Sequence, residues 1–185
     1  MIGETLDPER VRGQPADVRC YISASRLNAW LRCPLAFKLH YIDGIRTPPS
    51  PSLFIGKVVH ASLERFYRHR QLGLTLDAAE LARRLLESWG PAIDAEDMRF
   101  DSAADEQLAQ RQAMELVAAY IQQLPQDEAR PLAVEVSVEA ALVDPASGED
   151  LGIPLVGVMD LVVPEEAGPI ITDFKTASKS SGPLE

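Results

Sequence analysis

The spacing of apolar residues along this chain is helical through most of its length and extended towards its C-terminal end. After Tyr21, Ser23 or Ser25 caps a helix whose apolar side carries Leu27, Trp30 and Leu31. Pro34 ends or kinks it, and a second short helix carries Leu35, Phe37, Leu39 and Tyr41. Residues 47–52 are proline-rich and extended. A strong helix follows over residues 53–67, fading near Gly73, with Ile55, Val59, Leu63 and Phe66 as its core stripe. Asp77 caps a helix over residues 78–89 bearing Leu81, Leu85, Leu86 and Trp89, and Gly90-Pro91 stops it. A longer helix over about residues 102–124 carries Leu108, Met114, Leu116, Val117, Tyr120 and Ile121 until Pro125.

Beyond that point the period becomes two. Residues 133–140 place valines on one face and Glu135, Ser137 and Glu139 on the other. Residues 144–148 make a turn. Two runs rich in β-branched residues, 153–163 and 169–174, are separated by Pro164-Glu-Glu-Ala-Gly168 and predict a β-hairpin. The fold class is therefore α/β in a mixed α+β sense: a mostly antiparallel sheet flanked by helices, with a helical N-terminal region.

The hairpin carries residues that an apolar strand does not call for. Asp160 lies inside the first run, where a carboxylate is costly without a partner. Asp173 and Lys175 share a face of the second strand. If pairing sets Asp160 beside Asp173, the two repel unless a cation lies between them. Upstream, Gly56 and His60 lie one turn apart on the same helix face. Glycine inside a helix costs about 1 kcal/mol, so something must approach the backbone closely there. Taken singly, Asp173 and Lys175 read equally as a surface cross-strand charge pair, with Asp160 ending a strand, and a lone helical histidine is more often structural or solvated than a ligand.

The totals narrow the class. One soluble domain of 185 residues, 46% apolar and 25% charged, is expected, with no membrane-spanning run and no secretory signal among its first twenty residues, which read as a flexible leader. The cytoplasm is the default location. Cys20 and Cys33 are too few for a disulfide framework, and Cys33 beside Pro34 reads as a buried apolar residue at a helix break. A formal net charge of −10 argues against broad attraction to nucleic acid, so any binding must be local. Arg65, Arg68, His69 and Arg70 form one basic stretch, and Lys175 with Lys179 another.

The elements Gly157-Val-Met-Asp160 and Asp173-Phe-Lys175, with Gly56-x-x-x-His60 and the Ser23-x-Ser25-x-Leu27 … Cys33-Pro34-x-x-Phe37 … Tyr41 pattern, resemble the RecB-like branch of the PD-(D/E)xK nuclease superfamily. The resemblance covers about residues 21–178; the helix with a Q-x-x-x-Y motif that follows in that branch is not present, so the C-terminal part of a family domain is expected to be missing. It implies a restriction-endonuclease-like core and a metal-dependent deoxyribonuclease. The substrate would be single-stranded DNA or duplex ends, in repair, CRISPR or phage DNA processing. Helicase or repair proteins are the partners implied. One Mg²⁺ or Mn²⁺ is implied, held by His60, Asp160, Asp173 and the Phe174 carbonyl, with Lys175 acting on the attacking water and Glu135 as the acid of the preceding strand. In AddB and CRISPR-associated members the cysteine matching Cys33 ligates a [4Fe–4S] cluster with three later cysteines; no cysteine follows Cys33 here, so such a cluster requires further cysteines downstream. The alternative is a degenerate module that keeps the fold and binds a DNA end or a partner protein without cutting.

Overall fold

The structure, a computed structural model, describes residues 20–125 and 127–176. The expected leader, up to residue 19, and the polar tail beyond Thr176, with Lys179, lie outside the described residues. The elements in chain order are α1 (Ala24–Arg32), α2 (Pro34–Phe37) continuing into a π-helical turn (Lys38–Ile42), α3 (Pro51–Gln71), α4 (Ala78–Glu96), α5 (Ala103–Gln123), β1 (Ala133–Val143), β2 (Asp150–Val163) and β3 (Ile170–Thr172). The strands form one sheet in the order β1-β2-β3. The hairpin is antiparallel, with Leu161 opposite Thr172 and Val163 opposite Ile170. This is the mixed α/β architecture that the change of period predicts.

The chain divides into two compact units, and the division falls inside β1 and β2. The first holds residues 20–47 with Val136–Met159. Ser23 caps α1 by accepting from the Arg26 N–H, and Ile22 bridges Leu155 in parallel. Two expectations are corrected here. The buried position of α1 is Arg26, whose guanidinium stacks 3.8 Å above the Tyr21 ring and donates to the Tyr21 carbonyl, while Leu27, Trp30 and Leu31 are exposed. Cys33 is exposed as well: its Sγ accepts from the Ala36 N–H at 3.5 Å and caps α2, with Pro34 at the first helical position, where its missing N–H costs nothing.

The second unit holds Pro48–Glu135 and residues 160–176, and with them the main core. Ser50 and Pro51 start α3, which packs against α4 and α5. Phe54, Val58, Leu63, Phe66 and Tyr67 from α3 meet Leu81, Leu85 and Trp89 from α4, Ala113 and Val117 from α5, and Val134 and Leu161 from the sheet. Helix α4 does not stop at Gly90-Pro91 as its sequence predicts. It runs on to Glu96 with Pro91 inside it and ends at Asp97 in the left-handed conformation. Proline removes one hydrogen bond, but Trp89 is fully buried against Phe54, and Ala92 and Ile93 pack on the same core, so packing outweighs the local penalty. Among the described residues no helix is long and apolar enough to cross a membrane.

Candidate metal centre

Three side chains from three elements of the second unit converge: His60 of α3, Glu135 of β1 and Asp160 of β2. The helical stripe of α3 places Val59 and Leu63 in the core and leaves His60 at its edge, about a third exposed. Asp160 precedes the buried Leu161 and is itself buried, on the strand next to β1. Helix and sheet thus bring a ring nitrogen and two carboxylates together.

The imidazole bridges the acids. Its Nδ1 lies 3.1 Å from Glu135 Oε1 and its Nε2 3.0 Å from Asp160 Oδ2. Both contacts are hydrogen bonds only for a doubly protonated ring, and a cation bound at one nitrogen takes the place of the proton there. The ligand atoms of the three residues lie within 4.8 Å of one another. An octahedral Mg²⁺ with bonds of about 2.1 Å separates its donors by about 3.0 Å when adjacent and 4.2 Å when opposite. Donors spread over as much as 4.8 Å need to draw in by a few tenths of an ångström to share one ion, and two carboxylates with one imidazole suit a divalent ion in charge.

Glu135 reaches the cluster through an unusual backbone. Its φ is +49°, in the left-handed region that side chains other than glycine rarely adopt. As a result Val134 and Glu135, successive residues of a strand, both turn their side chains inward, and the simple alternation expected for residues 133–140 fails at this point. Such a conformation costs on the order of 1–2 kcal/mol. Glu135→Gly should therefore be more stable to urea than Glu135→Ala by about 1 kcal/mol, because alanine keeps the Cβ that creates the strain while glycine does not.

The segment after β3 is tied to this cluster by its backbone. The Phe174 N–H donates to Asp160 Oδ2 at 2.7 Å. The Phe174 ring packs edge-on to His60 at 5.6 Å, stacks on Tyr67 at 5.9 Å and meets Tyr120 edge-on at 5.7 Å. Behind it the Tyr120 hydroxyl donates to the Tyr67 oxygen at 2.8 Å and the Tyr67 hydroxyl donates to Glu128 at 3.0 Å. Burial pushes both phenols above their ordinary range, Tyr67 also through Tyr120 and Glu128, so each remains a neutral donor. This aromatic support was not read from the sequence, although Tyr67 and Tyr120 are polar-tipped aromatics on helical core stripes.

Gly56 has a close neighbour: a Cβ built there would stand 2.7 Å from Thr176 Oγ1 and 3.9 Å from Thr176 Cβ. Alanine at 56 should strengthen α3 by up to about 1 kcal/mol of intrinsic propensity yet push the segment carrying Lys175 out of place. Misplacements approaching 1 Å cost up to about a hundredfold in rate, so a fall of about tenfold or more in kcat is expected for Gly56→Ala. The double variant Gly56→Ala/Thr176→Ala, which removes the offending oxygen, should recover it.

Asp173 and Lys175 are not among the three converging residues: β3 ends at Thr172 rather than running to residue 174 as expected, so both lie in the segment that follows it. Their side chains are 58% and 73% exposed and form an ion pair of 2.7 Å with each other. Of the residues singled out in the sequence, His60, Glu135 and Asp160 converge, Phe174 touches them through its N–H and ring, and Cys33 belongs to the first unit.

No curated protein and no solved structure matches the chain. The family model described as the PD-(D/E)XK nuclease superfamily matches it over residues 21–185, a span that takes in α1, the glycine-histidine turn of α3, the strand acids and the Asp173-Phe-Lys175 element. With a helix and a three-stranded sheet converging on a histidine and two acids, this chain belongs to the PD-(D/E)XK nuclease superfamily.

Proposed function

We propose that the chain is a divalent-metal-dependent deoxyribonuclease of the RecB-like branch, acting on single-stranded DNA or duplex ends. The observation that carries this reading is the convergence of His60, Glu135 and Asp160 within 4.8 Å inside a chain of this superfamily. These three residues would hold Mg²⁺ or Mn²⁺, with Asp173 and the Phe174 carbonyl as further oxygen donors from the neighbouring segment. The imidazole tilts the preference towards manganese relative to an all-oxygen set. The ion, when bound, supplies Lewis acidity towards the scissile phosphate and the attacking water.

The chain's own residues do the rest. Asp160 fixes the Phe174 backbone through its hydrogen bond, and the Tyr67–Tyr120 pair braces the Phe174 ring, so the residues on either side of Phe174 are held beside the centre. Lys175, as an ammonium, orients the water by hydrogen bonding and offsets charge on the phosphate. Asp173, its ion-pair partner, holds the ammonium at the rim until the phosphate arrives.

Purified protein with Mn²⁺ should degrade a labelled single strand and leave it whole when the metal is chelated. A strand untouched under both conditions sinks the nuclease reading. A module that binds DNA without cutting draws on one observation, that Asp173 and Lys175 neutralise each other at the surface. It predicts Mn²⁺ binding and strand binding with no cleavage.

A further inference from the structure

Further along α3 from His60, a cavity of about 430 Å³ is lined by Phe66, Arg70, Leu74, Leu76, Glu128 and Arg130 among others. Its volume falls in the range of small-ligand sites. None of these residues belongs to the metal centre. The charges inside it are unequally committed. Arg70 Nη1 lies 3.0 Å from Glu128 Oε2, and its Nη2 donates to the Glu128 carbonyl at 2.7 Å. The other Glu128 oxygen accepts from Tyr67. Arg130 makes no hydrogen bond or ion pair with any described residue, and its guanidinium lies close to Gly73, where a Cβ would stand 2.8 Å from Nη2. Gly73 has φ +77°, a conformation that also favours glycine. Among the described residues the cavity therefore offers one uncommitted guanidinium, in a chain of net charge −10, beside an apolar wall of Phe66, Leu74 and Leu76.

An uncommitted guanidinium is a planar fork suited to phosphate oxygens, and an apolar wall suits the flat face of a base. We propose that this cavity holds one nucleotide of the strand being cut, its phosphate on Arg130 and its base against Leu74 and Leu76. The proposal rests on the nuclease reading and adds a binding subsite away from the chemistry. Phe66 and Arg70 lie six to ten residues beyond His60 on α3, about 9–15 Å along the helix axis. At about 3.4 Å of rise per nucleotide in a stacked strand, the separation is roughly three to four phosphates.

The test is strand binding by fluorescence anisotropy in chelator, comparing single strands of about four and about twelve nucleotides. Wild type should prefer the longer strand. Arg130→Gln should weaken the longer strand about tenfold and lower the slope of log K against log salt by about one, leaving the short strand's binding and its cleavage with Mn²⁺ unchanged. Leu74→Glu, at an exposed position where folding is not at stake, should act in the same direction. Wild-type affinity for the longer strand in both variants overturns the subsite. So does saturable binding of a mononucleotide 5′-phosphate that Arg130→Gln abolishes while strand affinity stays the same, because the cavity would then serve free nucleotides. Cleavage by wild type with no effect of either variant sinks the cavity proposal alone; a wild type that neither binds nor cleaves sinks the nuclease reading and the subsite together.

Discussion

Asp160→Asn should abolish cleavage and metal binding together while leaving the fold intact. The carboxylate does two jobs that this substitution separates. Its Oδ2 accepts the Phe174 N–H and lies 3.0 Å from His60 Nε2. Asparagine keeps an oxygen for the Phe174 N–H, so the segment remains anchored. It loses the negative charge on which a divalent ion depends. A catalytic metal is worth several kcal/mol of transition-state stabilisation. At 1.36 kcal/mol per decade that is about a thousandfold in rate, measured as single-turnover cleavage of a labelled strand. Asp160→Ala is the less informative variant. It also strands a buried N–H, which costs about 1–3 kcal/mol of stability and mixes unfolding with lost chemistry.

The second large effect is expected at Lys175, with a different signature. Lys175→Ala should lower kcat by about 10²–10³-fold, the range for removing one preorganised donor that stabilises developing charge, while Mn²⁺ affinity measured by calorimetry stays within about twofold of wild type. The ammonium is exposed and pairs with Asp173. An exposed pair of this kind contributes little to stability, so the melting temperature should barely change. Loss of rate with metal binding retained separates a residue acting on the water from one that holds the ion. Loss of metal binding in Lys175→Ala would instead mean that its charge pairing with Asp173 organises the ligands.

Several parts of the site could be read from residue order because they follow from strong local rules. A carboxylate inside an apolar strand needs a partner, and Asp160 has His60 and the Phe174 N–H. A glycine inside a helix needs a close neighbour, and Gly56 has Thr176. Helix α3 follows its 3.6-residue stripe because tertiary burial rewards that spacing. Helix α5 instead buries Ala109, Ala113 and Val117 while the expected Leu108 and Leu116, like Leu86 of α4, are exposed, since close helix packing favours small side chains there. The same burial carries α4 past Pro91, which local rules alone would not allow. The backbone at Glu135 was not legible, since glutamate carries no preference for a positive φ. In α1, helical spacing marked Leu27, Trp30 and Leu31 as the inward side, but a guanidinium stacked on Tyr21 occupies the buried position. Periodicity ranks residues by hydropathy and cannot see an aromatic face waiting for a cation.

The most direct test is anomalous scattering from crystals grown with Mn²⁺. A single strong peak within about 2.3 Å of a His60 ring nitrogen and of carboxylate oxygens from Asp160 and Glu135 is the predicted result. A map without density between those three side chains, at Mn²⁺ concentrations that support cleavage, would contradict the assignment of the metal to this cluster.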